Sequence, residues 1–303
     1  MKLPERVILC EQGSRDGIQM VPKFIPTDRK IELIDALSDS GMPLLEVTSL
    51  VSAKKVPQLR DAEEVMVRIQ RRPGTLYGVI VPNASGAARA AQTGADEIGI
   101  FLSASDTHNE HNINMSTKDS IRGLADIISI ARDANIPVYG AIATVFGCPY
   151  EGDVPPERVS WVMDELLALG CHRLVLGDTT GMANPLQVDE LMGYLVGRFP
   201  NVPISLHFHD NRGVGLANIL AAMLVGINRF DCSVGGLGGS PTPGAMGNVC
   251  SEDLVHMLHE LGVETGVDLD KLIACARLAG ELTGKSLPSH VLKAGRRDQL
   301  ICS

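Results

Sequence analysis

The chain has 303 residues, 45% hydrophobic and 21% charged, enough for one barrel-sized domain or two smaller ones. A net charge of -9 excludes the basic footprint of a nucleic-acid binder, and no apolar run is long enough to span a bilayer. Seven scattered cysteines with no C-x-x-C pair argue against a disulfide framework and a cysteine-rich zinc site, and the first residues lack a signal or transit pattern, so a cytoplasmic protein is expected.

Along the chain, short apolar runs alternate with amphipathic stretches. The first strand is expected over Val7–Gly13, followed by a helix from Thr27 or Asp28 to Ser40. Strands over Leu44–Leu50, Leu76–Val81 and Glu97–Ala104 alternate with helices over Ala62–Arg71 and Ala84–Thr93. One helix is expected over Thr117–Ala134, with Ser116 as its N-cap. A strand over Val138–Val145 precedes a helix opened by Pro155 and Pro156 and ended by Gly170. Arg173–Asp178 reads as a strand and Pro185–Phe199 as a helix. Ile204–Asp210 and Arg229–Val234 read as strands on either side of a helix over Gly215–Gly226. Helices over Glu252–Leu261 and Leu269–Thr283 follow.

About eight strand–helix units without a linker predict an α/β protein with a parallel sheet, best met by a (β/α)8 TIM barrel with additional C-terminal helices. One domain is expected over residues 1–303, with the barrel over 5–265 and a helical extension over 266–303. A doubly wound open sheet is the alternative, because periodicity does not reveal closure. The first strand–helix turn, Gly13-Ser-Arg-Asp-Gly-Ile-Gln19, lacks the G-x-G-x-x-G pattern of the dinucleotide-binding version.

In a barrel the polar residues at the strands' C-terminal ends form the site. His207 and His209 are two apart on one strand and share a face, offering two nitrogens to one metal or serving as ordinary hydrogen-bonded histidines. The first, seventh and eighth strands become neighbours on closure, so Asp16, His207, His209 and Asn248 can converge on one point. Two nitrogens, a carboxylate and an amide oxygen, completed by water or substrate, suit Mg²⁺ or Mn²⁺. Asp178, in Gly177-Asp-Thr-Thr-Gly181, is either a turn cap or a site residue. His108 and His111 are expected in a polar loop after the fourth strand, solvated or touching substrate. The glycine-rich stretch from Gly235 to Asn248 has no Gly-Lys-Ser/Thr ending and reads as a lid rather than a phosphate cradle.

These segments, together with Glu46-Val-Thr-Ser-Leu-Val-Ser52, Gly147-Cys-Pro-Tyr-Glu-Gly152, His207-Phe-His-Asp210, Gly235-Gly-Leu-Gly-Gly239 and Gly247-Asn-Val-Cys-Ser-Glu-Asp-Leu254, run in one order along nearly the whole chain. In that order the chain resembles the 3-hydroxy-3-methylglutaryl-CoA (HMG-CoA) lyases. The resemblance implies cleavage of HMG-CoA to acetyl-CoA and acetoacetate with a divalent cation, Mg²⁺ or Mn²⁺. It implies Asp16, His207, His209 and Asn248 as metal ligands, Arg15 opposite the thioester oxygen, and Glu46 and Asp178 tuning the proton path. His207 is implied as a further proton carrier, Gln19 as a substrate contact beside Arg15, and a homodimer as the assembly. The family's cysteine after Gly-Leu-Gly-Gly is Ser240 here, a far weaker acid, which implies a slower proton transfer or another donor. That departure keeps two alternatives open: a lyase for another branched 3-hydroxyacyl-CoA such as citramalyl-CoA, and a non-catalytic metal- or CoA-binding homologue.

Overall fold

Eight parallel strands form where the apolar runs stand: β1 Ile8–Glu11, β2 Leu44–Ser49, β3 Leu76–Ile80, β4 Glu97–Ser103, β5 Val138–Ala143, β6 Arg173–Asp178, β7 Ile204–Phe208 and β8 Arg229–Cys232. They pair in sequence order, and β8 closes on β1, so the sheet is a barrel and not the open alternative. The computed structural model describes residues 2–239 and 247–299.

The outward-facing strand residues, such as Leu9, Leu45, Val79, Ile100, Ile142, Leu174, Leu206 and Phe230, are buried against the surrounding helices in one continuous core. The inward positions differ around the ring. Glu46, His207 and Asp231 face the lumen from β2, β7 and β8, whereas Ile80, Ala141 and Val175 do so from β3, β5 and β6. The β2–β3 register shifts between Glu46 and Thr48, an irregularity of the kind that redirects side chains near sites.

Helix ends follow local chemistry. Ser116 accepts from the Asp119 N–H, Asn184 caps the helix Pro185–Arg198 ahead of its first-turn proline, and Gly170 ends Pro156–Leu169 at a φ of 103°. Three differences from the sequence expectation stand out. The single helix expected over Thr117–Ala134 is divided at Leu124 into Thr117–Gly123 and Ala125–Asp133. The segment expected as a polar loop around His108 and His111 is a helix, Asp106–Ile113, capped by Ser105 and stopped by Asn114 in the left-handed conformation. A short helix, His290–Ala294, follows Leu269–Thr283 and is held by Asp253, which accepts from the N–H groups of His290 and Val291.

Candidate active site

The turn after β1 is wound so that the N–H groups of Arg15, Asp16 and Gly17 all point at the Gln12 carbonyl. This π-type turn spans Gly13–Gly17 and brings Arg15 and Asp16 to the barrel mouth. β7 brings His207 and His209 to the same mouth, and Asn248 lies beside His209 through a backbone bridge. One donor atom each from Asp16, His207 and His209 lies within 4.8 Å of the others. The two Nε2 atoms are 3.2 Å apart.

The surrounding hydrogen bonds leave donor atoms available to a cation. Asn248 Nδ2 donates to Asp16 Oδ2 at 2.7 Å and to the Leu237 carbonyl at 2.9 Å, while Asn248 Oδ1 is buried with no hydrogen-bond partner among the described residues. Gly239 N–H donates to the same Asp16 oxygen at 3.1 Å. Gly238, at a φ of 108°, sits so close that a Cβ there would fall on Asp16 Oδ2 and Asn248 Nδ2. His207 Nδ1 is 3.1 Å from Asp231 Oδ2, which leaves Nε2 facing the cluster. A carboxylate behind a histidine fixes its tautomer and strengthens it as a ligand. The donor set of oxygens and imidazole nitrogens, with one orphaned amide oxygen, therefore fits a divalent cation.

Charge is arranged to match. Burial pushes the Asp16 carboxyl up, but Arg15, His207 and His209 outweigh it and hold it below its ordinary range, so it stays ionised. Burial pulls His207 down, yet Asp231 and Asp16 raise it above its ordinary value. His209, buried beside His207, is pushed down and stays neutral with a lone pair to give. Arg15 is bound on every side: to Glu46, to Asp16 Oδ1 at 3.0 Å and to Gln12 Oε1 at 3.0 Å. Burial opposes its charge, but the carboxylates of Glu46 and Asp16 keep it firmly protonated.

The remaining expected site residues divide. Gln19 donates to Asp16 Oδ1 at 2.7 Å while also lining the cavity, so it holds the carboxylate as well as facing a ligand. Asp178 Oδ1 accepts from the N–H groups of Met182 and Ala183 at 2.7 and 3.2 Å, the turn-capping arrangement, while its buried Oδ2 has no partner among the described residues. Burial pushes this carboxyl up to about 6. Ser240 lies outside the described residues. His108, on its helix rather than in a solvated loop, is buried with Nδ1 2.6 Å from Ser103 Oγ. His111 is exposed and stacks on Tyr150 at 4.5 Å.

Two residues escaped the sequence reading. Asp231 faces His207 across the β7–β8 pairing, and Tyr139 reaches over the lumen to donate its hydroxyl proton to Glu46. Each is one inward residue in a mostly apolar strand, and only the strand register shows what it meets. Together these groups open into a cavity of about 910 Å³.

With this geometry in hand, comparison with known proteins is direct. The HMGL-like family profile matches residues 6–279. A hydroxymethylglutaryl-CoA lyase of Bacillus subtilis is 45% identical over 97% of this chain and 98% of its own length. A Pseudomonas aeruginosa protein named 3-hydroxy-3-isohexenylglutaryl-CoA/hydroxymethylglutaryl-CoA lyase is 41% identical over 97% of this chain and 98% of its own. The solved structure of an HMG-CoA lyase from Acinetobacter baumannii, in complex with coenzyme A and 3-methylmalate, superimposes with a TM-score of 0.94 at 42% identity, covering 99% of this chain and 98% of that one.

Proposed function

We propose a reaction for this chain from a settled premise: it belongs to the HMGL-like family. It is a carbon–carbon lyase that cleaves HMG-CoA to acetyl-CoA and acetoacetate. The observation that supports this most strongly is the convergence of Asp16, His207 and His209 with the orphaned oxygen of Asn248, beside a fully paired Arg15.

Asp16, His207, His209 and Asn248 would hold the cation, Mg²⁺ or Mn²⁺. When bound, the cation supplies Lewis acidity toward the substrate's tertiary hydroxyl. Arg15 places a permanent positive charge where the thioester oxygen becomes an enolate as the carbon–carbon bond breaks. Its clamp of Glu46, Asp16 and Gln12 fixes the guanidinium before substrate arrives, so little reorganisation remains for the reaction. Glu46, held by Arg15 and Tyr139, and Asp178, with one free buried oxygen, are the carboxyl groups available to the hydroxyl proton's path. His207 is braced by Asp231 and serves first as a ligand; a role as proton carrier applies only to a state in which Nε2 is free. Gln19 steadies Asp16 and contacts substrate from the mouth. Ser240 takes the place of the acid that protonates the enolate carbon. The fully braced Arg15 favours catalysis over a binding-only role, since a pure binding module gains nothing from an enolate-stabilising charge.

The protein is further proposed to act as a cytoplasmic homodimer. No helix among the described residues is long and apolar enough to cross a membrane. Metal-loaded protein supplied with HMG-CoA and citramalyl-CoA in parallel decides the acyl group. Acetoacetate released with acetyl-CoA from HMG-CoA is the expected result, and turnover of citramalyl-CoA alone would replace the substrate while keeping the reaction type.

A further inference from the structure

Deeper in the barrel than the candidate metal site lies a pair of charges to which the proposed reaction gives no role. Glu97 on β4 and Arg173 on β6 alternate with the core residues Ile98 and Leu174, so both face the lumen, where they are 4% and 2% exposed. Arg173 donates through Nη2 to Glu97 Oε1 and through Nε to Glu97 Oε2 at 3.3 Å. Such two-point pairing fixes the orientation of a guanidinium. Arg173 Cζ lies over the Tyr139 ring, 4.0 Å from its centroid. The strand register explains the contact, because Gly99, Tyr139 and Arg173 stand level on β4, β5 and β6. A Cβ at Gly99 would fall 2.4 Å from Tyr139 Cζ and Oη, so glycine there leaves the ring its place. From Tyr139 the contacts run on toward the mouth: its hydroxyl donates to Glu46 Oε2, and Glu46 Oε1 accepts from Arg15 Nε.

Stability does not account for the pair. Two buried charges recover from each other little more than they lose on leaving water, and well-packed apolar residues often do as well or better. What the pair offers is direction. Ile80 and Val175 also pack around the Tyr139 ring, but apolar contact is non-directional and does not choose where a hydroxyl points. A cation held over the ring by two hydrogen bonds does restrict it. Burial, with Glu46 and Glu97, pushes the Tyr139 phenol up while Arg173 opposes them, so the hydroxyl keeps the proton it donates. We propose that Arg173 and Glu97 are positioning residues: together they hold the Tyr139 ring so that its hydroxyl fixes Glu46 and, through Glu46, the guanidinium of Arg15. The inference rests on the lyase reading above and on the roles given there to Glu46 and Arg15.

The test removes both charges at once, as Glu97→Gln with Arg173→Met, so that neither is left buried and unpaired. Acetyl-CoA release from HMG-CoA by this Mn²⁺-loaded variant is expected to fall at least about tenfold in kcat, since displacing a site group by about 1 Å can cost about a hundredfold. KM and calorimetric Mn²⁺ affinity are expected to stay within about twofold, because the pair touches neither the cation's proposed ligands nor the mouth. A cycle with Tyr139→Phe, which keeps the ring and removes the hydroxyl, separates positioning from general support. If the pair acts through that hydroxyl, removing it from Tyr139→Phe protein costs less than about twofold further. Arg173→Lys keeps a charge beside Glu97 but gives up the two-point pairing, and is expected to show the same non-additivity if the double variant fails to melt cooperatively. Unchanged kcat in a folded variant, equal losses with and without the Tyr139 hydroxyl, or a loss matched by weakened Mn²⁺ binding overturns the positioning role and leaves the lyase intact. No release by the metal-loaded parent protein overturns the lyase reading and the positioning role together.

Discussion

Replacing Asp231 by asparagine isolates the residue that braces His207, a proposed metal ligand. Asp231 Oδ2 lies 3.1 Å from His207 Nδ1 and accepts from Gln12 Nε2 at 3.1 Å, while Oδ1 is buried without a partner among the described residues. An asparagine oxygen can occupy the Oδ2 position and keep both hydrogen bonds, with its amide group falling where Oδ1 now sits. The variant then loses charge but not shape. A hydrogen bond to a charged group contributes about 1.5–3 kcal/mol and a neutral one about 0.5–1.5, so the change removes about 1–1.5 kcal/mol of support for His207. That is about tenfold in metal affinity, the lower end of the 10- to 100-fold usual for groups behind a ligand. Asp231→Ala, which also leaves His207 and Gln12 without their acceptor, is expected toward the upper end. Calorimetric titration of metal-free protein with Mn²⁺ reads the affinity, and a thermal melt checks the fold. Mn²⁺ bound within twofold of the parent by a normally melting Asp231→Asn protein would refute the bracing role.

Further expectations rest on other parts of the site. Gly238→Ala places a Cβ on Asp16 and Asn248 at a backbone conformation that costs an alanine about 1–2 kcal/mol, so it is expected to abolish tight Mn²⁺ binding while the protein still melts cooperatively. Burial pushes the Glu252 carboxyl up to about 7, with Gly235 N–H partly offsetting it. Between its ordinary value near 4.5 and about 7, the folded protein then holds a proton that the unfolded chain has released. Stability from this group is therefore expected to fall as pH rises through that window. Urea midpoints at pH 5 and pH 8 should converge in Glu252→Gln; an unchanged slope would remove Glu252 as its source. Ser240→Cys is expected to raise the steady-state rate on HMG-CoA, and a folded variant with no gain would show that Ser240 does not stand in for a thiol.

What the sequence revealed follows from the range over which its signals act. His207 and His209 were legible because alternation along a strand is a two-residue rule, and Arg15 and Asp16 because the barrel's closure makes β1 a neighbour of β8. Asp231 was not, since its meaning comes from lying opposite His207, a relation between strands that no local pattern encodes. Tyr139 was missed for the same reason, since its partner Glu46 lies across the lumen on another strand. The helix Asp106–Ile113 was hidden differently: its residues are nearly all polar, and its order comes from Ser105 at one end, Asn114 at the other and Asn109 reaching Ser103 N–H, Met115 O and Ser120. Apolar periodicity is silent on such a helix. Gln19 shows a subtler limit, because a residue expected to contact substrate also supports Asp16 three positions earlier.

The central claim is that the cluster of Asp16, His207, His209 and Asn248 is the metal centre of an HMG-CoA lyase. The most direct measurement strips the protein with chelator, confirms the loss of metal, and follows acetyl-CoA release from HMG-CoA before and after Mn²⁺ is restored. The account predicts negligible release from stripped protein and a turnover above about 1 s⁻¹ on reloading. It also predicts that reloading fails to restore activity in Asp16→Ala. Full turnover by verified metal-free protein, or no turnover by the reloaded enzyme, would contradict it.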